Sequence, residues 1–330
     1  MRTRWLLAVG LALAGCRGSR DDGAGAQPRA SARAAASAPS AASAASAASA
    51  PAASTCSPSC ASVERCEAGR CVPACPDDQV YVPSTGPEGF LMGHGPPGSF
   101  DQKHRVILTR PFCMDATEVT VAAYRRCVEA GTCTLPQLND INSNYRSIYH
   151  REDHPLNMVN YKQAKAYCES LGRRLPTEAE FEWAAGHGDG RAWPWGDSPN
   201  PTCENHTADF TPGGAPKRDP AGDVGCYGGG TSAVRSFPLG ASKWPAGDLY
   251  ELGGNVWEWV EDCYLPYPAG ELVDPAPAGD PRLGGDCYVH SLRGGGWNRS
   301  TASLHPYFRA GSKWTYRVGA LGFRCVTGAR

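Results

Sequence analysis

Gly172-Arg173-Arg174-Leu175-Pro176-Thr177-Glu178-Ala179-Glu180-Phe181-Glu182-Trp183-Ala184-Ala185 is the stretch on which the fold turns. Pro176 biases the residue before it toward extended backbone, so Arg174-Leu175-Pro176 leads in as an extended segment. Thr177 then stands where a helix needs an N-cap, and Glu180, three positions on, completes a capping box. The glutamates lie near the helix N-terminus, where the dipole favours negative charge. Phe181 and Trp183 are the apolar load of this short helix. Working back, Asn160 caps a second helix, with Ala164, Tyr167, Cys168 and Leu171 at helical spacing and Gly172 at its stop. Earlier still, Thr120 caps a helix running to about Ala130 and closed by Gly131. Val80-Tyr81-Val82-Pro83 and Val106-Ile107-Leu108 read as strands, with a turn region around Phe90-Leu91-Met92-Gly93 between them. After residue 186 helix signals vanish and Gly, Pro and Trp dominate. So long an irregular stretch inside a compact domain needs disulfides or bound ions to hold it.

The composition agrees. Gly 39 and Pro 28 among 330 residues describe a loop-rich chain, with nine Trp and thirteen Tyr to build a core. A net charge of −1 argues against a nucleic-acid partner held by bulk charge. Fifteen cysteines point to an oxidising compartment. Arg2 and Arg4 precede the apolar run Trp5 to Ala14, too short for a spanning helix, which reads as an export signal over residues 1–15. Leu13-Ala14-Gly15-Cys16 resembles the bacterial lipobox, which implies cleavage before Cys16 and its acylation. The partner so implied is a membrane, reached through a lipid anchor on the cell envelope. Arg17 in place of an Asp implies sorting to the outer membrane. Ala, Ser and Pro make 28 of the 39 residues from 17 to 55, so residues 16–55 read as the lipidated Cys and a tether without a core.

Cys56, Cys60, Cys66, Cys71 and Cys75 crowd residues 56–75. No Cys-x2-Cys pair and no nearby His supports zinc, so this segment reads as a small disulfide knot, with Cys75 left for the next domain. Residues 76–330 read as one domain. Proximity in the chain suggests Cys75–Cys113, Cys127–Cys133, Cys203–Cys226 and Cys263–Cys287, although spacing alone does not fix connectivity. His150 and His154 are spaced like a metal-binding helix pair, but Pro155 disfavours helix there.

The ordered motifs carry a resemblance. Phe112-Cys113-Met114-Asp115 leads into Thr117-Glu118-Val119-Thr120. The quoted stretch at 172–185 follows, then Trp193-Pro194-Trp195-Gly196. Gly253-Gly254-Asn255-Val256-Trp257-Glu258-Trp259 and Arg293-Gly294-Gly295-Gly296-Trp297 come next, and Gly322-Phe323-Arg324-Cys325 closes the chain. Over roughly 76–330 this series resembles the formylglycine-generating enzyme, or sulfatase-modifying factor, family. The resemblance implies an α+β fold with little regular secondary structure, related to C-type lectins. It implies a disulfide between Cys168 and Cys325. It also implies structural calcium held by the side chains of Glu251 and Glu258 and the carbonyls of Gly254 and Val256, oxygen donors that suit that ion. A second calcium site of the family would fall on Asn205 and the carbonyl of His206.

The family's enzymes hold copper(I) with two cysteines, a soft metal on thiolate. Those positions are Arg299 and Leu304 here, while the enzymes' Ser and His positions are Gly296 and Ser300. Copper is therefore not expected, and no catalytic residue is assigned. Trp297, His305 and Arg309 remain to line a groove for a peptide or sugar. The leading expectation is a tethered, non-catalytic module binding a protein or glycan. The alternatives are an oxidoreductase of the same family that makes formylglycine or a related sulfur–oxygen product at an atypical metal site, and a lectin by fold analogy.

Overall fold

The computed structural model describes residues 60–61, 63–67, 70–198, 200–201, 230–277 and 279–329. The signal segment, Cys16, the tether and residues 202–229 lie outside them. The chain enters through a hairpin of β1 (Glu64–Glu67) and β2 (Arg70–Pro73), with Cys60 bonded to Cys71. Cys75–Cys113 then fastens the next residues to the domain.

Three small sheets and a hairpin follow. β3 (Gln79–Val82) pairs with β6 (Phe112–Asp115), which pairs with β14 (Val326–Gly328), so the domain's first and last strands share one sheet. β4 (Phe90–Met92), β5 (His104–Ile107) and β10 (Glu271–Val273) form a second, ordered β10-β5-β4. The largest runs β12-β11-β9-β13, from β9 (Trp257–Cys263), β11 (Val289–Arg293), β12 (Arg309–Lys313) and β13 (Leu321–Gly322). β7 (Ser242–Trp244) and β8 (Gly247–Leu249) make the hairpin.

The helices are α1 (Val121–Glu129), α2 (Tyr161–Ser170) and α3 (Glu178–Gly186), capped by Thr120, Asn160 and Thr177. Asn160 and Thr177 each complete a capping box, with Gln163 and Glu180. None of the described helices is long and apolar enough to cross a membrane. The fold is thus α+β with short elements.

Two apolar clusters form the core. One gathers Val106, Phe181, Trp183 and Leu249; the other gathers Tyr124, Tyr167, Trp259 and Phe323. Trp257 and Trp259 are two apart on β9, hence on one face, and both enter the second cluster. α3 is buried on nearly every side. Its three glutamates are neutralised one by one: Glu178 pairs with Arg309 at 2.9 Å, Glu180 with Arg174 at 2.5 Å and Glu182 with Arg293 at 2.6 Å. Buried charges survive only when paired in this way.

Two sequence expectations change. Phe90–Met92, read as part of a turn region, is strand β4. The stretch after 186, read as irregular, contributes eight strands among the described residues, most of three to five residues. Runs that short carry too few alternations to show a period of two.

Candidate functional site

Two regions collect the residues that chemistry would use. The first lies where the chain turns into β9. Glu251 and Asn255 hold left-handed backbone, with φ of 53° and 56°, and Gly254 has φ of 112°. This turn sets Glu251 and Glu258 with Glu118, which precedes α1, and with Arg324; all four are buried. Arg324 grips Glu258 with two bonds, Nε to Oε2 at 2.7 Å and Nη2 to Oε1 at 2.8 Å. Asn255 Nδ2 donates to Glu118 Oε2 at 3.1 Å, and the Val256 amide donates to Oε1 at 3.4 Å. Glu251 Oε2 accepts from the Arg235 amide at 3.1 Å, whereas its Oε1 is sealed from solvent with no partner among the described residues.

Three carboxylates thus face one guanidinium. Burial pushes the Glu251 carboxyl up to about 7 and Glu118 well above the carboxylate range, the latter raised further by Glu251 and Glu258. Glu258 is also raised by burial, against the pull of Arg324. An orphaned buried oxygen, oxygen-only donors and surplus negative charge fit a hard divalent cation. Three acidic oxygens do not converge here, so such an ion would depend on the Gly254 and Val256 carbonyls beside the two side chains. The only tight group of three ligand-bearing side chains among the described residues is Cys60, Glu64 and Cys71. Its two sulfurs are bonded to each other, which removes it as a metal site. Asn205 and His206 lie outside the described residues.

The second region follows β11. Gly296 is packed so closely that a Cβ there would meet Trp257 Cδ1 at 2.9 Å, leaving no room for a side chain without repacking. Arg299 is exposed and Leu304 is fully buried at the end of a 3-10 turn, Thr301–Leu304. The half-buried Trp297 donates Nε1 to the Gly319 carbonyl at 3.2 Å. His305 sits within a ladder of near-parallel rings. It stacks on Trp193 at 4.2 Å and on Tyr307 at 4.9 Å; Trp193 stacks on Trp195 at 5.9 Å and Tyr307 on His94 at 4.6 Å. Its Nδ1 lies 2.7 Å from the Ala192 carbonyl, and burial lowers its pKa, so the ring stays neutral at pH 7.

Arg309 departs from its expected place in this groove. It is buried, bonded to Glu178 and to the Leu265 carbonyl, and lies 4.0 Å from the Tyr267 ring centroid. A guanidinium so close to α3 is drawn in by Glu178, a partner the linear sequence does not display. In the sequence Glu118 and Arg324 stand out only as members of their motifs. The signal that could have singled them out is an ionisable residue set among apolar ones, as in Glu118-Val119 and Phe323-Arg324-Cys325.

The sulfur chemistry is accounted for. Cys75–Cys113, Cys127–Cys133, Cys168–Cys325 and Cys263–Cys287 are formed, and every cysteine among the described residues is in a disulfide. Cys203 and Cys226 lie outside the described residues.

Residues 76–329 match the Sulfatase-modifying factor enzyme 1-like domain. The chain is 36% identical over 151 residues to the formylglycine-generating enzyme of Bos taurus, an alignment covering 44% of this chain and 38% of that one. It is 34% identical over 178 residues to the inactive C-alpha-formylglycine-generating enzyme 2 of Bos taurus, covering 53% and 50%. The chain thus spans half or less of the length of these relatives. Among solved structures it is similar to Treponema denticola variable protein 1, with a TM-score of 0.54 and 20% identity, covering 76% of this chain and 95% of that one. With the family's domain matched over 76–329, this chain belongs to the sulfatase-modifying factor enzyme 1-like family.

Proposed function

We propose that this chain is an exported, lipid-anchored member of its family that has lost thiol–copper oxidation and binds a protein or glycan partner. One observation carries the reading: the two positions that would grip copper hold Arg299 and the buried Leu304. Neither can supply a thiolate. The crowding at Gly296 supports it, as does the oxidised state of every described cysteine. Similarity to both an enzyme and an inactive relative is consistent with either outcome.

The aromatic ladder around His305 is the surface this reading assigns to binding. Trp193, His305 and Tyr307 each have their ring faces engaged within the ladder, leaving mainly ring edges to a ligand. Sugars favour open ring faces, so this surface suits a polypeptide segment better than a glycan. Calcium, held by Glu251, Glu258 and the Gly254 and Val256 carbonyls, would supply the positive charge that the buried carboxylates lack.

The deciding experiment loads the protein with copper(I) and offers a cysteine-containing peptide. No aldehyde product is expected, and aldehyde formation overturns the reading. Calcium is tested separately. Added calcium should raise the melting temperature and chelation should reverse the gain; identical melting with and without calcium removes the ion from the account. Anchoring rests on Cys16, and Cys16→Ser should release the protein from the membrane fraction.

A further inference from the structure

A cavity of about 280 Å³ opens between strands β4 and β5, the start of α3 and the segment from Asp262 to Ala276. It shares no lining residue with Trp297, Arg299, Leu304 or His305, so it is independent of the function proposed above. Its walls are apolar, including Pro266, Leu272 and Ala276, while its floor is ionic and deeply buried. That combination, apolar walls with a few convergent polar groups, is the usual character of a small-molecule site.

The floor has acceptors to spare and few donors. Arg309 is spent on its neighbours: Nε on Glu178, Nη1 on the Leu265 carbonyl at 2.8 Å and Asp101 at 3.3 Å, and Nη2 on Ser291 at 3.2 Å. Glu178 uses Oε1 on Arg309; its Oε2 accepts from no group among the described residues and is not sealed away. Asp262 also lines the cavity, but its Oδ2 is engaged by the Glu178 amide at 2.8 Å. His104 Nδ1 lies 3.2 Å from the Gln102 carbonyl, which assigns the proton to that nitrogen and leaves Nε2 as an acceptor. Burial lowers the His104 pKa, so the ring brings no charge at pH 7. The open acceptors are thus Glu178 Oε2 and His104 Nε2, while the donors of Arg309 are largely used. An anion would meet repulsion and find few donors. A neutral hydrocarbon would cover Glu178 Oε2 and leave that oxygen without a donor, although Oε1 stays paired with Arg309.

We propose that this cavity binds a small primary amine with an apolar body, its ammonium donating to Glu178 Oε2 and His104 Nε2. The volume suits one ring and a short arm, since a cavity of about 150 Å³ already holds benzene.

Benzylamine, titrated into the full chain at pH 7 in phosphate buffer, is the test, with benzyl alcohol as the neutral match of similar shape. The expected dissociation constant is on the order of 1 mM, with benzyl alcohol at least about tenfold weaker. Leu272→Trp and, separately, Ala276→Trp should each fill the cavity without touching the ion pair and weaken benzylamine at least about tenfold, with melting temperature kept. Nuclear Overhauser contacts from benzylamine to the Leu272 methyls are expected in the unaltered chain, so the assignment does not hang on either variant folding. Equal affinity for the alcohol, absent contacts to Leu272, or no saturable benzylamine binding at about ten times that concentration each overturns the proposal.

Discussion

His290 shows how one residue's surroundings set its chemistry. Its ring lies 3.4 Å, centre to centre, from that of Tyr161 and edge-on to Trp259, and its Nδ1 is buried without a partner among the described residues. Burial pushes its pKa down to about 4 from 6.5. The unfolded chain therefore takes up this proton first as pH falls, and the folded state resists it. The stabilisation is complete above about pH 6.5 and is lost as pH drops toward 4. A shift of this size corresponds to at most about 3 kcal/mol. His290→Phe keeps the stack and removes the titration. Measured by urea unfolding, the variant should gain about 2 kcal/mol on the parent between pH 7 and pH 4.5. Parallel pH profiles for the two proteins would refute the assignment.

At the scale of an element, α3 combines local and distant determinants. Thr177 Oγ1 accepts from the Glu180 amide at 3.1 Å, and Glu180 Oε2 accepts from the Thr177 amide at 2.9 Å. Thr177→Ala breaks this exchange and should cost about 1 kcal/mol. Glu182 is different. It accepts from Arg293 Nη2 at 2.6 Å and from the Gly93 amide at 2.7 Å, both inside the core. Glu182→Gln leaves the fully buried Arg293 uncompensated and should cost about 3–5 kcal/mol. Chemical denaturation of both variants checks the ranking, and a cap substitution as damaging as the charge substitution would contradict it.

For the whole molecule, the disulfides differ in reach. Cys168–Cys325 joins α2 to the chain's end across a separation of 157 residues, beside the sheet that unites β3 and β14. Cys127–Cys133 closes a separation of only 6 at the end of α1. Chain entropy assigns about 5 kcal/mol to the first and about 2 kcal/mol to the second. Paired alanine substitutions should therefore lower the melting temperature far more at 168 and 325 than at 127 and 133. Equal losses would mean that native-state contacts, not the closed loop, set the effect.

The helices and the neighbouring disulfides were legible because their causes are local. Thr177 and Glu180 are three residues apart, and Asn160 and Gln163 likewise, so capping chemistry appears in the letters themselves. The motif series from Phe112 to Cys325 likewise sufficed, through the family it resembles, to indicate the fold. What tertiary structure alone decided are the encounters between residues far apart in the chain. Glu178 meets Arg309 across 131 positions and Arg324 meets Glu258 across 66. Whether Arg309 lines a groove or lies beneath α3 depends on which carboxylate burial brings to it. The short strands after residue 186 were hidden for a related reason: a three-residue run has no period of its own and becomes a strand only when another strand lies beside it.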